Sequence, residues 1–327
     1  MFKSLLSAAA LVGSALALSS PPSGALTVGS SGKYSKIQDA VDALDTSSSS
    51  DQTIFIYKGT YEEQVVVPEL KGSLTVYGSS DSETDYSSNT VTITAGKSQD
   101  DGLDNDGTAT LAVHTGNFFM YNVNVANSHG EGSQAVALSA YADGNMGFYA
   151  CQFTGYQDTL LAQEGNQIYS KCYIEGATDF IFGQEAVAWF ESCTIGVLAA
   201  KSGYVTANGR KSDSSASYYV INNSKVQAGS GQSVSSGAYY LGRPWGEYAR
   251  VVFQNSELSD VINAAGWSVW NDDEPRTSGV TFAEYKNTGD GASTSSRASF
   301  SKQLSSAVKL SDLISDYSSW ADSTFIS

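Results

Sequence analysis

The chain has 327 residues and 41% hydrophobic content, enough to bury a sizeable core. With 34 acidic against 18 basic residues its formal charge is −16, which excludes nucleic acid as a partner because phosphates would be repelled over most of the surface. Two histidines, three cysteines and no CxxC or HExxH motif leave too few soft ligands for zinc, and no cofactor is expected.

In chain order, residues 1–17 carry Lys3, an apolar run from Leu5 and an Ala15-Leu16-Ala17 ending, the pattern of a secretory signal peptide. The run is too short and too rich in Ala and Ser for a membrane anchor, so a secreted, extracellular protein is expected, folded over 18–327 as one domain. The stretch "YSKIQDAVDAL" (34–44) places Ile37, Ala40, Val41 and Leu44 at helical spacing and predicts an amphipathic cap. The acidic run "SQDDGLDNDGTAT" (98–110) lacks the EF-hand order of ligands and reads as a turn-rich loop rather than a calcium site.

From residue 120 a repeat takes over. "MYNVNV" (120–125), "FYACQF" (148–153), "YSKCYI" (169–174), "FESCTI" (190–195), "INNSKV" (221–226) and "FQNSEL" (253–258) align, and the central three copies step by 21 residues. Each is short, rich in β-branched and aromatic residues and bounded by turn formers, so each predicts a strand. Short strands repeating at this interval predict an all-β chain wound as a single-stranded right-handed parallel β-helix, with short helices at its ends, the second in the tail 300–320. Equivalent positions on successive coils then lie about 4.8 Å apart. Cys151, Cys172 and Cys193 would form an internal column, as packed thiols or with one bridge, 151–172 or 172–193; Cys172 and Cys193 are the candidate disulfide.

The same step separates Asp158 from Asp179. If register holds, their carboxyl groups leave adjacent strands in one direction. Two carboxylates so close divide into an acid and a base or nucleophile. Two exposed loop aspartates are the bland alternative, but "YQDTL" and "TDFIFG" are too apolar for solvated loops. Asn222 in "NNS" is the one N-x-Ser/Thr acceptor and a candidate glycosylation site.

"GTYEE" (59–63), "QAVAL" (134–138), "YQDTL" (156–160), "DFIFG" (179–183) and "LGRPW" (241–245) resemble, in order, the five signature segments of the pectin methylesterases. The N-terminal "GKYSKIQDAVDAL" and "VINAAGW" (261–267) extend the likeness over nearly the whole mature chain. The resemblance implies a right-handed parallel β-helix and hydrolysis of the C6 methyl esters of homogalacturonan. It implies Asp179 as nucleophile, Asp158 as general acid and then base, Gln157 and Gln134 as amide donors to the tetrahedral oxyanion, and Arg243 as the partner that orients Asp179. Trp245, Trp267 and Phe182 become candidates for stacking on sugar rings, and Thr110 or Thr108 for a substrate contact. The departures, Ala264 for a Pro and Arg297 without the usual Arg-Val-Trp, spare the catalytic set and give the chain a fungal rather than a plant look. A monomer acting on methyl-esterified pectin is expected. The competing readings are a β-helix glycoside hydrolase of the polygalacturonase type, a pectate lyase and a noncatalytic solenoid, which lack respectively a third clustered acid, a calcium-binding cluster of acids and a reason for two aspartates in register.

Overall fold

A computed structural model describes residues 19–326; the leader expected over 1–17 lies outside the described residues. Strands follow one another at short intervals and pair in parallel with the strand one coil away, forming a right-handed parallel β-helix. Met120, Phe148, Tyr169, Phe190, Ile221 and Phe253, the first residues of the six repeat copies, are successive Cα partners. The variable interval between copies is therefore loop length, and the strand register is constant.

Three faces make up each coil. One carries Gln52–Ile56, Leu74–Gly78, Phe118–Tyr121, Val187–Glu191, Tyr218–Asn222, Arg250–Gln254 and Thr281–Tyr285. A second runs from Gly59–Glu62 to Glu257–Leu258. The third, which bears the site, carries Val65–Val67, Leu111–Val113, Ile181–Gly183, Gly203–Asn208 and Tyr239–Gly242. The long strands Leu138–Tyr149 and Leu160–Ser170 bend from the third face into the first.

Alternation along each strand sends one residue inward and the next outward, so identical in-register positions build columns. Phe148, Tyr169 and Phe190 stack with centroids 4.8 and 4.7 Å apart and planes within 8°. Val125, Phe153, Ile174, Ile195, Val226 and Leu258 form a second buried column two residues beyond the cysteines. Between the columns the chain turns at a fixed corner. Asn122, Ala150, Lys171, Ser192, Asn223, Asn255 and Lys286, each two residues past the aromatic position or its equivalent, all have φ between 49° and 55°.

The cysteine column exists, but the Cys172–Cys193 bridge does not: Cys151, Cys172 and Cys193 are buried free thiols. In-register parallel strands keep the Cβ vectors parallel, so Cβ atoms stay near the interstrand spacing of about 4.8 Å, beyond the roughly 3.8 Å a disulfide needs. Each sulfur instead approaches a carbonyl of the preceding coil, Cys172 that of Phe148 at 3.3 Å and Cys193 that of Tyr169 at 3.3 Å. The glycosylation reading of Asn222 also fails. Its side chain is buried, donating to Glu191 at 2.8 Å and accepting from Gln254 and Asn255 at 3.0 Å each, which leaves no room for a glycan.

The N-terminal cap is a helix over Ile37–Asp42 that buries Ile37, Ala40, Val41 and, beyond it, Leu44. Its open end is closed from across the chain, where the Glu63 carboxylate of "GTYEE" accepts from the Ile37 and Gln38 amides at 2.8 and 3.1 Å. The tail is helical only over Leu310–Leu313, with a 3₁₀ turn at Tyr317–Ser319, after a strand at Ser301–Gln303. It lays Leu310, Ile314, Ala321 and Phe325 on the outer side of the first face, against Tyr149, Ile168, Val220 and Val252. Arg297 has a structural partner: it is buried with Glu284 and bonds it at 2.7 and 3.0 Å.

Candidate active site

The outer side of the third face carries an in-register row of Val66, Ala112, Ser139, Leu161, Phe182 and Ala207. Leu161, Phe182 and Ala207 pack with Ala109, Ala112 and Val136 into an apolar floor, and Trp245 lies against it with its ring 6.0 Å from Phe182. Trp245 sits so close over Gly209 that a Cβ there would come within 2.5 Å of the indole. Glycine at 209 is therefore what lets the indole come this close.

Asp158 and Asp179 stand beside this floor, at the entry of adjacent coils. Gln157 and Thr178 are bridge partners, the Asp158 amide donates to the Thr178 carbonyl at 3.1 Å, and Leu160 pairs with Ile181. The two aspartates are thus one interstrand step apart, on the same side. Both hold left-handed backbone, φ 62° and 52°, which aspartate tolerates better than most residues, and both are at least nine-tenths buried.

Arg243 arrives from the end of Tyr239–Gly242, two coils beyond Asp179, and grips its carboxylate with two parallel bonds, Nε to Oδ1 at 2.8 Å and Nη2 to Oδ2 at 2.6 Å. Its guanidinium lies over the ring of Tyr204 at 4.1 Å and of Trp270 at 4.5 Å, and Nη1 reaches the Trp270 carbonyl at 3.3 Å. This is the planar, forked recognition that lysine cannot supply.

Burial pushes the Asp158 carboxyl well above the usual carboxylate range, and the charge of Asp179 adds to the rise while Arg243 opposes it. Burial also raises Asp179, against the hydrogen bonds and charge of Arg243. Burial is the largest influence on Arg243 and would lower it, but the hydrogen bonds and charge of Asp179, joined by Tyr204 and Asp158, together carry it upward. At Asp179, desolvation exceeds what one arginine returns. Arg243 opposes the rise at Asp179 with hydrogen bonds as well as charge and at Asp158 with charge alone, so ionisation is easier at Asp179 than at Asp158.

Gln157 precedes Asp158 and is half-buried beside a cavity of about 620 Å³ lined by Tyr156, Thr178, Glu131 and Lys201. Gln134 lies on the preceding coil, where the next residue, Ala135, donates its amide to the Gln157 carbonyl at 3.1 Å. The two glutamines are therefore neighbours on adjacent coils, with Gln157 next to Asp158 in the chain. Phe182 contributes to the floor but is only 2% exposed, so it supports Trp245 rather than presenting its own face.

Two candidates move out of the site. Trp267 is 1% exposed and stacks on Phe282 at 4.4 Å inside the core, because its pairing with Gly242 turns it inward. Thr110 is fully buried, its hydroxyl donating to the Ala126 carbonyl at 3.0 Å, and Thr108 is equally buried, bonded to Asn105 and to the Val136 amide. Acids of the 98–110 loop have protein partners: Asp101 completes a capping box with Ser98, and Asp106 ties the loop to the neighbouring coils, accepting from Ser139 at 2.6 Å and pairing with His114 at 2.9 Å.

Two residues absent from the sequence reading belong here, Tyr204 and Trp270, which enclose the Arg243 guanidinium. The second tryptophan of "GWSVW" was the available signal for Trp270; nothing in the sequence marked Tyr204.

The pectinesterase family profile matches residues 25–315. A pectinesterase of Aspergillus niger is 51% identical over 332 aligned positions, covering all of both chains, and one of Aspergillus aculeatus is 50% identical, covering 99% of this chain and all of that one. Among solved structures, the pectin methylesterase of Aspergillus niger superimposes with a TM-score of 0.88 at 44% identity, covering 95% of this chain and 100% of that one. The pectin methylesterase from carrot follows at 0.84 and 32% identity, covering 94% and 98%.

Proposed function

The chain belongs to the pectinesterase family and is a carboxylic ester hydrolase acting on pectin, and we propose that Asp179 and Asp158 divide the chemistry between them. The observation that carries this reading is the bidentate Arg243–Asp179 pair standing one coil from Asp158, a buried carboxyl whose ionisation is opposed by burial and by the charge of Asp179.

In the proposed cycle the ionised Asp179 attacks the C6 carbonyl carbon of a methyl-esterified galacturonate unit. The amides of Gln157 and Gln134 donate to the oxygen as it becomes negative. Collapse expels methoxide, which leaves as methanol with the proton of Asp158, and a mixed anhydride joins the substrate to Asp179. Asp158, now a carboxylate, takes a proton from water as the water attacks the anhydride. Asp179 departs as a carboxylate bonded to Arg243, and Asp158 is protonated for the next turn. Trp245 offers its partly exposed face to a sugar ring. With the leader at 1–17 read as a secretion signal, the mature enzyme would act outside the cell, as a monomer.

Incubation with highly methylated pectin tests the reaction class. Methanol should be released with no new reducing ends and no unsaturated products; reducing ends without methanol would mean glycoside hydrolysis and would overturn the reading.

A further inference from the structure

Arg243 is held as tightly as it holds Asp179, and the group that holds it has its own anchor. Trp270, whose ring and carbonyl both meet Arg243, begins a short loop closed by its amide bond to the Pro275 carbonyl at 3.2 Å and by the Glu274 amide bond to the Asn271 side chain at 2.7 Å. A second guanidinium, that of Arg276, lies 5.1 Å from the centre of the same indole. Arg276 bonds Glu274 through Nε at 3.2 Å and Nη2 at 2.6 Å, and its Nη1 makes a short bond to the carbonyl of Trp245. It does all this from left-handed backbone, φ 52°, which costs an arginine free energy that a turn with no task would avoid.

Arg276 touches neither aspartate. It joins two things the reaction needs, the main chain beneath the sugar-facing Trp245 and the ring that packs on Arg243. We propose that Arg276 is a positioning residue for ester cleavage, bridging the Trp245 carbonyl, Glu274 and the Trp270 ring so that the loop holds Arg243 in its two-pronged grip on Asp179. This rests on the reading of Asp179 as nucleophile. The bridge uses three donors on three nitrogens fixed in one plane to reach two acceptors lying in different directions, so arginine fits, whereas the donors of a lysine all sit on one nitrogen and lack that spread.

The charged and titratable groups facing Asp179 are Arg243 and Asp158, and Tyr204 faces Arg243 from the other side. Loosening Arg243 removes the group that opposes the burial of Asp179, so its ionisation moves to higher pH. Arg276→Gln should therefore lower kcat for methanol release by about 10-fold with a much smaller change in KM, and move the acid limb of kcat/KM upward in pH. Arg276→Lys should recover part of both losses. A purely structural role would lower the melting temperature and leave the acid limb in place.

If Arg276→Gln does not fold, Glu274→Gln weakens the same anchor from the solvent side and should shift the acid limb in the same direction. A folded Arg276→Gln enzyme with kcat within about twofold of wild type and an unmoved acid limb overturns the proposal, as does an unmoved acid limb in Glu274→Gln. Asp179→Asn, run alongside, separates the two ideas. If it turns over normally the nucleophile reading fails; if it is dead while Arg276→Gln is unimpaired, only the positioning role fails.

Discussion

At the residue scale the site depends on two chemically identical side chains behaving differently. Both are buried, but Arg243 returns part of the lost hydration to Asp179 and little to Asp158. The consequence for stability has a definite sign. A carboxyl whose folded pKa is raised contributes stability that is fully present below the ordinary carboxylate range and is lost as pH rises through the folded value. Asp158 therefore weakens the fold at neutral pH, as functional groups commonly do. Asp158→Asn should raise the melting temperature at pH 7 by about 2–4 °C while lowering methanol release by about 100-fold or more, and the thermal gain should vanish below about pH 4. A gain of equal size at both pH values would mean that ionisation is not its source. The sequence motifs identified the pair and its arginine, because those residues sit inside contiguous signatures. They could not separate Trp245 from Trp267, because facing is set by strand register: Trp267 pairs with Gly242 and points inward, while Trp270, three residues on, stands over Arg243.

At the element scale the repeat was legible because every coil reuses the same inward positions, so Met120 through Phe253 align without reference to loop length. The corner between faces was not legible. It demands φ near 50° at positions filled by Asn, Ala, Lys and Ser, and none of them is the glycine that would have announced it. The cysteines show the limit of spacing as an argument: a column one strand step apart is too wide for a bridge when all Cβ vectors are parallel. A thiol reagent should accordingly modify Cys151, Cys172 and Cys193 only after unfolding, three equivalents appearing in denaturant, and reductant should leave the melting temperature unchanged. One equivalent with or without denaturant would instead reveal a disulfide. The tail was only partly readable, since its apolar residues cover the outer side of a sheet, where helical periodicity is not required.

At the scale of the whole molecule, a stack of coils turns a 21-residue sequence interval into one strand step, and that is how Asp158 and Asp179 come to share a site. Arg243, 64 positions beyond Asp179, joins them because the chain has by then climbed two further coils along the same face. The Ile37–Asp42 helix caps the N-terminal end and the tail covers the outer side of the first face, so the site face is covered by neither. No helix among the described residues is long and apolar enough to cross a membrane. The most direct test of the account is methanol release from highly methylated pectin by Asp179→Asn, with circular dichroism to establish that the coil is intact. If Asp179 is the nucleophile as proposed, its removal should leave the β-sheet spectrum unchanged and lower the rate by at least about 1,000-fold. A folded Asp179→Asn protein that releases methanol at close to the wild-type rate would contradict it.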